Sequence, residues 1–221
     1  MTTGKRGPFR TSLSEVVLGR MGVPKHLFNF SLDDMDDLGM ADRRKVIEYV
    51  KKYVENIDYA FDNNVGICFY GANGVGKSTL ASLIIKEAYR RRYRGKRCTF
   101  NQYFDEYAKT WNLPKAEHWG EDDPVGLFYH NYKAVDFLVL EELGKERESE
   151  LHLSALEDLL RYREEKGLPT IICSNLAPST LKARYGSSIY SLFKGNFQAI
   201  ELTGKDLREE KPHNLLNFRD L

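Results

Sequence analysis

Apolar residues recur at helical spacing between Arg43 and Ile57, where Val46, Ile47, Val50, Tyr53, Val54 and Ile57 share one face. An amphipathic helix is expected there. The pattern then changes: Val65–Tyr70 is almost wholly apolar and stops at Gly71, as a strand covered on both faces does. A helix over Ser78–Arg92 follows, then a strand over Arg97–Asn101 and a helix over Tyr103–Trp111. The stretch from Asn112 to Asp123, with Pro114, Trp119 and Gly120, fits neither periodicity and reads as an excursion from the core. Beyond it come a strand at Val135–Leu140, a helix at Leu151–Glu165 stopped by Gly167 and Pro169, and a strand at Thr170–Ser174. A short helix at Ser179–Tyr185 and a last strand at Phe197–Leu202 complete the series, and no internal repeat is visible.

Strands that are apolar throughout and alternate with helices predict an α/β fold, a parallel sheet with helices on both faces. Ligands of such sheets sit at the carboxyl ends of the strands. The length of 221 residues fits one domain of this kind. The expected division is a flexible arm at 1–20, rich in Gly, Pro, Lys, Arg and Ser, a body at 21–210 and a tail at 211–221.

Charge changes this picture only locally. The formal net charge is +1, so bulk electrostatics make no case for nucleic acid. Yet Arg90, Arg91, Arg92, Arg94, Lys96 and Arg97 crowd one stretch, and Asp33, Asp34, Asp36 and Asp37 another. Each cluster can be an ordinary solvated face. Cys68, Cys98 and Cys173 are far apart, lack metal-ligand spacing and suit a reducing compartment as small buried hydrophobes. The five histidines are scattered, and none is assigned a metal or a proton. No apolar run approaches a bilayer span and Met1–Arg20 lacks a secretory core, so a cytoplasmic protein with no membrane partner is expected.

The chemistry lies at three strand ends. Gly71, Ala72, Asn73, Gly74, Val75, Gly76, Lys77, Ser78 and Thr79 spell G-x-x-x-x-G-K-S between a predicted strand and a predicted helix. Glycines let the backbone wrap phosphate oxygens while amide N–H groups point inward at a helix N-terminus. Lys77 would reach the β- and γ-phosphates, and the Ser78 hydroxyl would take one Mg²⁺ position. Glu141 and Glu142 close the second apolar strand and would lie beside this loop if the two strands are neighbours. The first would hold Mg²⁺ through water and the second would polarise an attacking water. Asn175, at the end of Thr170–Ser174, could orient that water, or merely start the turn before Pro178.

At this point the chain resembles the DnaC-type AAA+ ATPases, which include replicative helicase loaders and transposition ATPases. Gly22-Val23-Pro24-Lys25-His26-Leu27-Phe28, with Phe30 and Leu32, resembles the family's leading segment near the adenine, which implies ATP contacts for Val23 and Phe28. Val135–Gly144 resembles its Walker B, Ser174-Asn175-Leu176 its sensor 1, and Arg184-Tyr185-Gly186 with Glu201–Arg208 its closing segment. The likeness runs in order over roughly residues 20–210. It implies ATP and Mg²⁺ as cofactors, a homo-oligomer with ATP sites shared between neighbours, and a ring helicase and single-stranded DNA as partners. Arg90, Arg91, Arg94, Lys96 and Arg97 would then contact the strand, with Tyr93 and Tyr103 available for stacking.

Two departures carry consequences. The family has Asp where Glu141 stands, and an arginine after the serine where Leu192 follows Ser191. Hydrolysis is therefore expected to be slow unless Lys194, Arg184 or a partner supplies the missing charge. In place of the family's helicase-binding domain the sequence has the arm at 1–20, the first suspect for that contact. The rival readings are a transposition ATPase on duplex DNA, a nucleotide kinase, and a protein that holds ATP without turnover. A kinase would carry a late arginine-rich lid, which Lys194, Lys205 and Arg208 do not make.

Overall fold

The structure, a computed structural model, describes residues 13–38, 44–111 and 123–207. Its sheet has five parallel strands: β1 (Gly66–Tyr70), β2 (Gly95–Thr99), β3 (Phe137–Leu143), β4 (Thr170–Ser174) and β5 (Phe197–Glu201). Their spatial order is β2-β3-β4-β1-β5. The three wholly apolar runs became the three central strands, and the mixed segments Gly95–Thr99 and Phe197–Glu201 became the edges. Two carboxylate- and phosphate-related strands are thus not neighbours. β4 lies between β1 and β3, which puts Asn175 between the loop and the acids.

Successive strand residues point to opposite faces. Ile67, Phe69, Val139 and Ile171 pack on one side with α1 (Glu15–Arg20), α2 (Arg44–Glu55), α3 (Ile57–Asp62) and α4 (Lys77–Arg90). Cys68, Leu138, Leu140 and Ile172 pack on the other with α5 (Phe100–Lys109), α6 (Pro124–Phe128), α7 (Glu150–Glu165) and α8 (Pro178–Asn196). A π-type turn at Tyr129–Lys133 follows α6, and 3₁₀ turns occupy Lys25–Leu27 and Asp33–Leu38. Among the described residues no helix is long and apolar enough to cross a membrane. All three cysteines are buried, and burial pushes the Cys68 and Cys98 thiols up to about 12, so they behave as apolar filler.

Several boundaries moved for local reasons. The helix expected over Arg43–Ile57 breaks at Asn56, whose side-chain amide donates to the Lys52 carbonyl at 2.8 Å. β2 ends at Thr99 because Thr99 and Gln102 form a reciprocal capping box, which starts α5 at Phe100. α8 continues past Tyr185 to Asn196, bending at Gly186, whose φ of +80° breaks the helical path without ending it. The arm expected at 1–20 is corrected at its end. Ser14 caps α1, and Leu18 is buried against the core; residues 1–12 lie outside the described residues, as does nearly all of the Asn112–Asp123 excursion.

Two buried cations organise the body. Arg163 on α7 uses all five guanidinium N–H groups: Nε to Thr170 Oγ1, Nη1 to the Lys133 and Val135 carbonyls, and Nη2 to those of Asp136 and Pro169. Lys86 on α4 donates to the carbonyls of Leu27, Phe28 and Phe30 at 2.6, 3.0 and 2.5 Å, pinning the leading segment to the helix after the loop. Burial pushes its ammonium from an ordinary 10.5 down to about 8. The folded pKa lies below the unfolded one, so the unfolded chain holds more protons in between and stability contributed at this site rises with pH across that window. Urea unfolding of wild type and Lys86→Met at several pH values is the check. The advantage of wild type over the variant should grow between about pH 8 and pH 10.5; a constant difference would contradict it.

Candidate nucleotide site

β1 ends at Tyr70 and the chain turns at once through Gly71 into α4. A Cβ on Gly71, at φ +137°, would lie 2.1 Å from the Leu202 carbonyl oxygen. One on Gly74, at φ +71°, would lie 1.7 Å from a carboxylate oxygen of Asp206. Only glycine fits the loop beneath the segment that crosses it. That segment is tied down at Leu202 N–H to the Tyr70 carbonyl (2.8 Å) and Leu207 N–H to the Gly74 carbonyl (3.1 Å). Val75 anchors the loop in the core at 1% exposure, while Ala72 and Asn73 face solvent.

Gly76, in the left-handed region, is the N-cap of the 14-residue α4. The first amides of such a helix have no intrahelical acceptor and point out of its N-terminus, where the helix dipole favours an anion. Lys77 and Ser78 open this helix. The Lys77 ammonium, nearly buried, donates back to the Gly71 and Ala72 carbonyls at 2.8 and 2.5 Å. The structure thus holds the loop around its own lysine. The side-chain amide of Asn175 donates to Asn73 Oδ1 at 2.9 Å, so the end of β4 touches the loop directly.

The acids separate. Glu141 is 4% exposed and faces β2, where Arg97 sits diagonally across the ladder on the same face. Arg97 donates through Nε and Nη2 to its two carboxylate oxygens at 2.9 and 2.5 Å. A bulge between Leu140 and Leu143 then throws Glu142 to φ +59°, onto the surface, where it pairs with Lys145 at 2.8 Å. Val23 is buried in the apolar cluster that also holds Val75 and Leu80, and the partly buried Phe28 packs against that cluster.

Arg97 is therefore corrected as a DNA contact, because its guanidinium is taken by Glu141 and by the Gly22 carbonyl. Its companions also have partners within the chain. Arg90 pairs with Glu87, Arg91 with Asp58 at 3.7 Å, Arg94 with Asp136 at 3.6 Å, and Lys96 reaches the Arg20 carbonyl at 3.0 Å. Tyr103 is fully buried and cannot stack on a base. Arg184, a candidate for action on a neighbour's nucleotide, is held by Glu146 and Glu148 and is equally engaged. Glu146, which the sequence reading overlooked, is buried and also accepts from Tyr185 Oη at 2.6 Å and from the Gly144 amide at 2.8 Å. Leu192 is buried and Lys194 exposed.

Among the described residues no group of three or more His, Cys, Asp or Glu could hold a metal alone. A magnesium ion at a phosphate loop does not need one, since it takes few protein ligands and draws others from phosphates and water. The glycine cradle, Ser78 at the helix mouth and Glu141 at the strand end fit such a Mg–nucleotide. The fit at Glu141 has one condition: its carboxylate already has a cationic partner.

No family model matches the chain. It is 24% identical over 180 residues to the replicative helicase loader DnaC of Buchnera aphidicola subsp. Acyrthosiphon pisum (strain APS), covering 78% of this chain and 66% of that relative. The chain thus spans just under two thirds of the length of this curated relative. A crystal structure of the DnaC helicase loader superposes with a TM-score of 0.67 at 19% identity, over 81% of this chain and all of the other. The replication initiator DnaA bound to AMPPCP and single-stranded DNA superposes with a TM-score of 0.62 at 20% identity, over 80% of this chain and 50% of that one. Two curated relatives are named replicative helicase loader DnaC, and the fold is that of the DnaC and DnaA structures.

Proposed function

We propose that this chain binds ATP with Mg²⁺ at Gly71–Thr79 and uses the nucleotide as an assembly switch to load a ring-shaped replicative helicase onto single-stranded DNA. The observation that carries this reading is the hydrogen bond between Asn175 and Asn73, which joins the end of β4 to the loop. A water-orienting amide belongs there in a protein that senses or cleaves a γ-phosphate. Lys77 would leave the Gly71 and Ala72 carbonyls for phosphate oxygens, and the first amides of α4 would meet the same charge. Ser78 and Glu141 would hold Mg²⁺, which neutralises phosphate charge as it develops. Glu142, already on the surface, would polarise water; Val23 and Phe28 would face the base.

Turnover is proposed to be slow. Leu192 offers no charge, Arg184 is tied to two acids of its own chain, and Lys194 is the exposed cation left to reach a neighbouring copy. The helicase contact is assigned to the residues before α1. Strand contact is assigned to Arg90, Arg91, Arg94 and Lys96, whose pairing at the surface is weak enough for phosphates to replace. The relatives named replicative helicase loaders and the DnaA structure with single-stranded DNA support this reading.

Sedimentation with labelled single strands, with and without ATP–Mg²⁺, tests it. Co-sedimentation is expected only with both ligands and more strongly than with duplex, and a ring helicase should join the complex. Preference for duplex would point to a transposition role. A monomer indifferent to strand and nucleotide would overturn the proposal.

A further inference from the structure

The geometry points to Arg97 as a positioning residue that occupies Glu141 in place of a metal ion and ties that acid to the leading segment. This rests on the reading of Glu141 as the metal-holding acid, and deepens it. Three N–H groups of one guanidinium define the device. Nε and Nη2 hold the carboxylate at 2.9 and 2.5 Å, so both acid oxygens are engaged, and Nη1 donates to the Gly22 carbonyl at 2.9 Å. The main chain repeats the link, with Arg97 N–H donating to the Met21 carbonyl at 2.7 Å. A Cβ on Gly22 would lie 2.3 Å from the Arg97 carbonyl oxygen, so the leading segment sits against β2 with no spare room.

The electrostatics follow from burial. The side chains of Arg97 and Glu141 are 21% and 6% exposed, so solvent screens the pair poorly. A carboxylate buried there without a cation would be costly, and the bidentate fork supplies one. A divalent cation needs the same anion and is repelled by the same guanidinium. The two compete for Glu141. A metal that drew the carboxylate away from Arg97 would also loosen the fork's hold on Gly22, carrying the state of the phosphate site to Met21–Val23. Arg97 thereby sets how much Mg²⁺ the site needs and makes the leading segment responsive to it.

The experiment is a Mg²⁺ titration of the affinity for a fluorescent ATP analogue, which needs no turnover, in wild type, Arg97→Gln, Glu141→Gln and the double variant. Arg97→Gln removes the competing charge, so the Mg²⁺ concentration giving half of the tightening should fall at least about tenfold. Hydrogen exchange at residues 21–23 should rise and lose its dependence on Mg²⁺. In the Glu141→Gln background Arg97→Gln should not move the Mg²⁺ midpoint further. An Arg97→Gln midpoint at the wild-type value, with Glu141→Gln shifting it, overturns the inference and leaves the metal reading intact. A Glu141→Gln protein with the wild-type Mg²⁺ response overturns the metal reading, and the inference with it. Should Arg97→Gln fail to fold, Arg97→Lys keeps the charge and gives up the fork. Its midpoint should fall by a smaller factor, about threefold, and an unchanged one overturns the inference equally.

Discussion

Replacing Arg163 with methionine is expected to lower the free energy of unfolding by about 3–5 kcal/mol, the range typical when one partner of a buried charged network is removed. The side chain is 1% exposed, and its five donors match five acceptors. Methionine fills much of the aliphatic volume but donates nothing. It strands the carbonyls of Lys133, Val135 and Asp136 and the hydroxyl of Thr170, and leaves Pro169 only the long bond from Leu138 N–H at 3.4 Å. An unsatisfied buried polar group costs about 1–3 kcal/mol. The full sum is not reached, because the Lys133 and Asp136 bonds are only part-buried and water can replace them. Burial also lowers the guanidinium pKa to about 9, a cost that the variant recovers. Arg163→Lys, with at most three donors, should fall between the two. These acceptors flank the starts of β3 and β4, the sheet end opposite the phosphate loop. Urea unfolding should therefore shift strongly while the folded variant keeps its nucleotide affinity. A loss below about 1 kcal/mol, the usual scale of one hydrogen bond, would refute the assigned role.

What could be read from the chain and what could not divide along a physical line. The setting of Gly71–Thr79 was legible because its signal is local: the motif spacing, with β1 before it and α4 after it. Thr170–Ser174 was legible because both of its faces are buried, and an apolar run records that directly. The order of strands was not, since no residue of β3 or β4 encodes which neighbour it takes, and β4 came to lie between the loop and the acids. At Arg97 the basic run misled for the same reason. Arg97 is one residue from Lys96 in sequence, yet one cation holds Glu141 beside the site while the other reaches the Arg20 carbonyl. Charge clusters record composition, and pairing is a tertiary property. α1 was hidden because six residues give too few turns for a periodicity, although Ser14 followed by Val17 and Leu18 was a usable signal for a capped turn with one buried face. The short helix expected over Ser179–Tyr185 runs on as α8 to Asn196, because Gly186 at φ +80° bends the path without ending it, while Tyr185 and Arg184 are held to Glu146.

Lys77→Ala is expected to weaken ATP binding at least about a hundredfold, which is about 2.8 kcal/mol at 1.4 kcal/mol per factor of ten. Two effects combine. The ammonium is the one side-chain cation that the loop itself contributes, and in a nearly buried setting its attraction for a polyphosphate is little screened. The same group also shapes the loop. It bonds the Gly71 and Ala72 carbonyls, and alanine leaves both to water or to nothing, so the cradle itself loosens. The second effect predicts a stability loss in the absence of nucleotide of about 1–3 kcal/mol, the scale for hydrogen bonds to a charged group. Lys77→Met separates both from side-chain packing, because it keeps the stem packed and removes only the donors and the charge. If the self-contacts dominate the stability loss, methionine and alanine, which both lack the donors, should agree in unfolding as well as in affinity; a gap in unfolding would measure the packing of the stem. Equilibrium titration with a fluorescent ATP analogue, beside thermal unfolding without nucleotide, measures both. Folded variants that keep affinity within threefold, about 0.7 kcal/mol on the same scale, would place the phosphates somewhere other than this loop. Asn175 bonds the loop at Asn73, whereas Glu141 bonds Arg97 on the adjacent strand β2; the loop is where the nucleotide whose affinity Mg²⁺ tunes is proposed to sit. The loss of its lysine should therefore also abolish the Mg²⁺ dependence on which Arg97 acts.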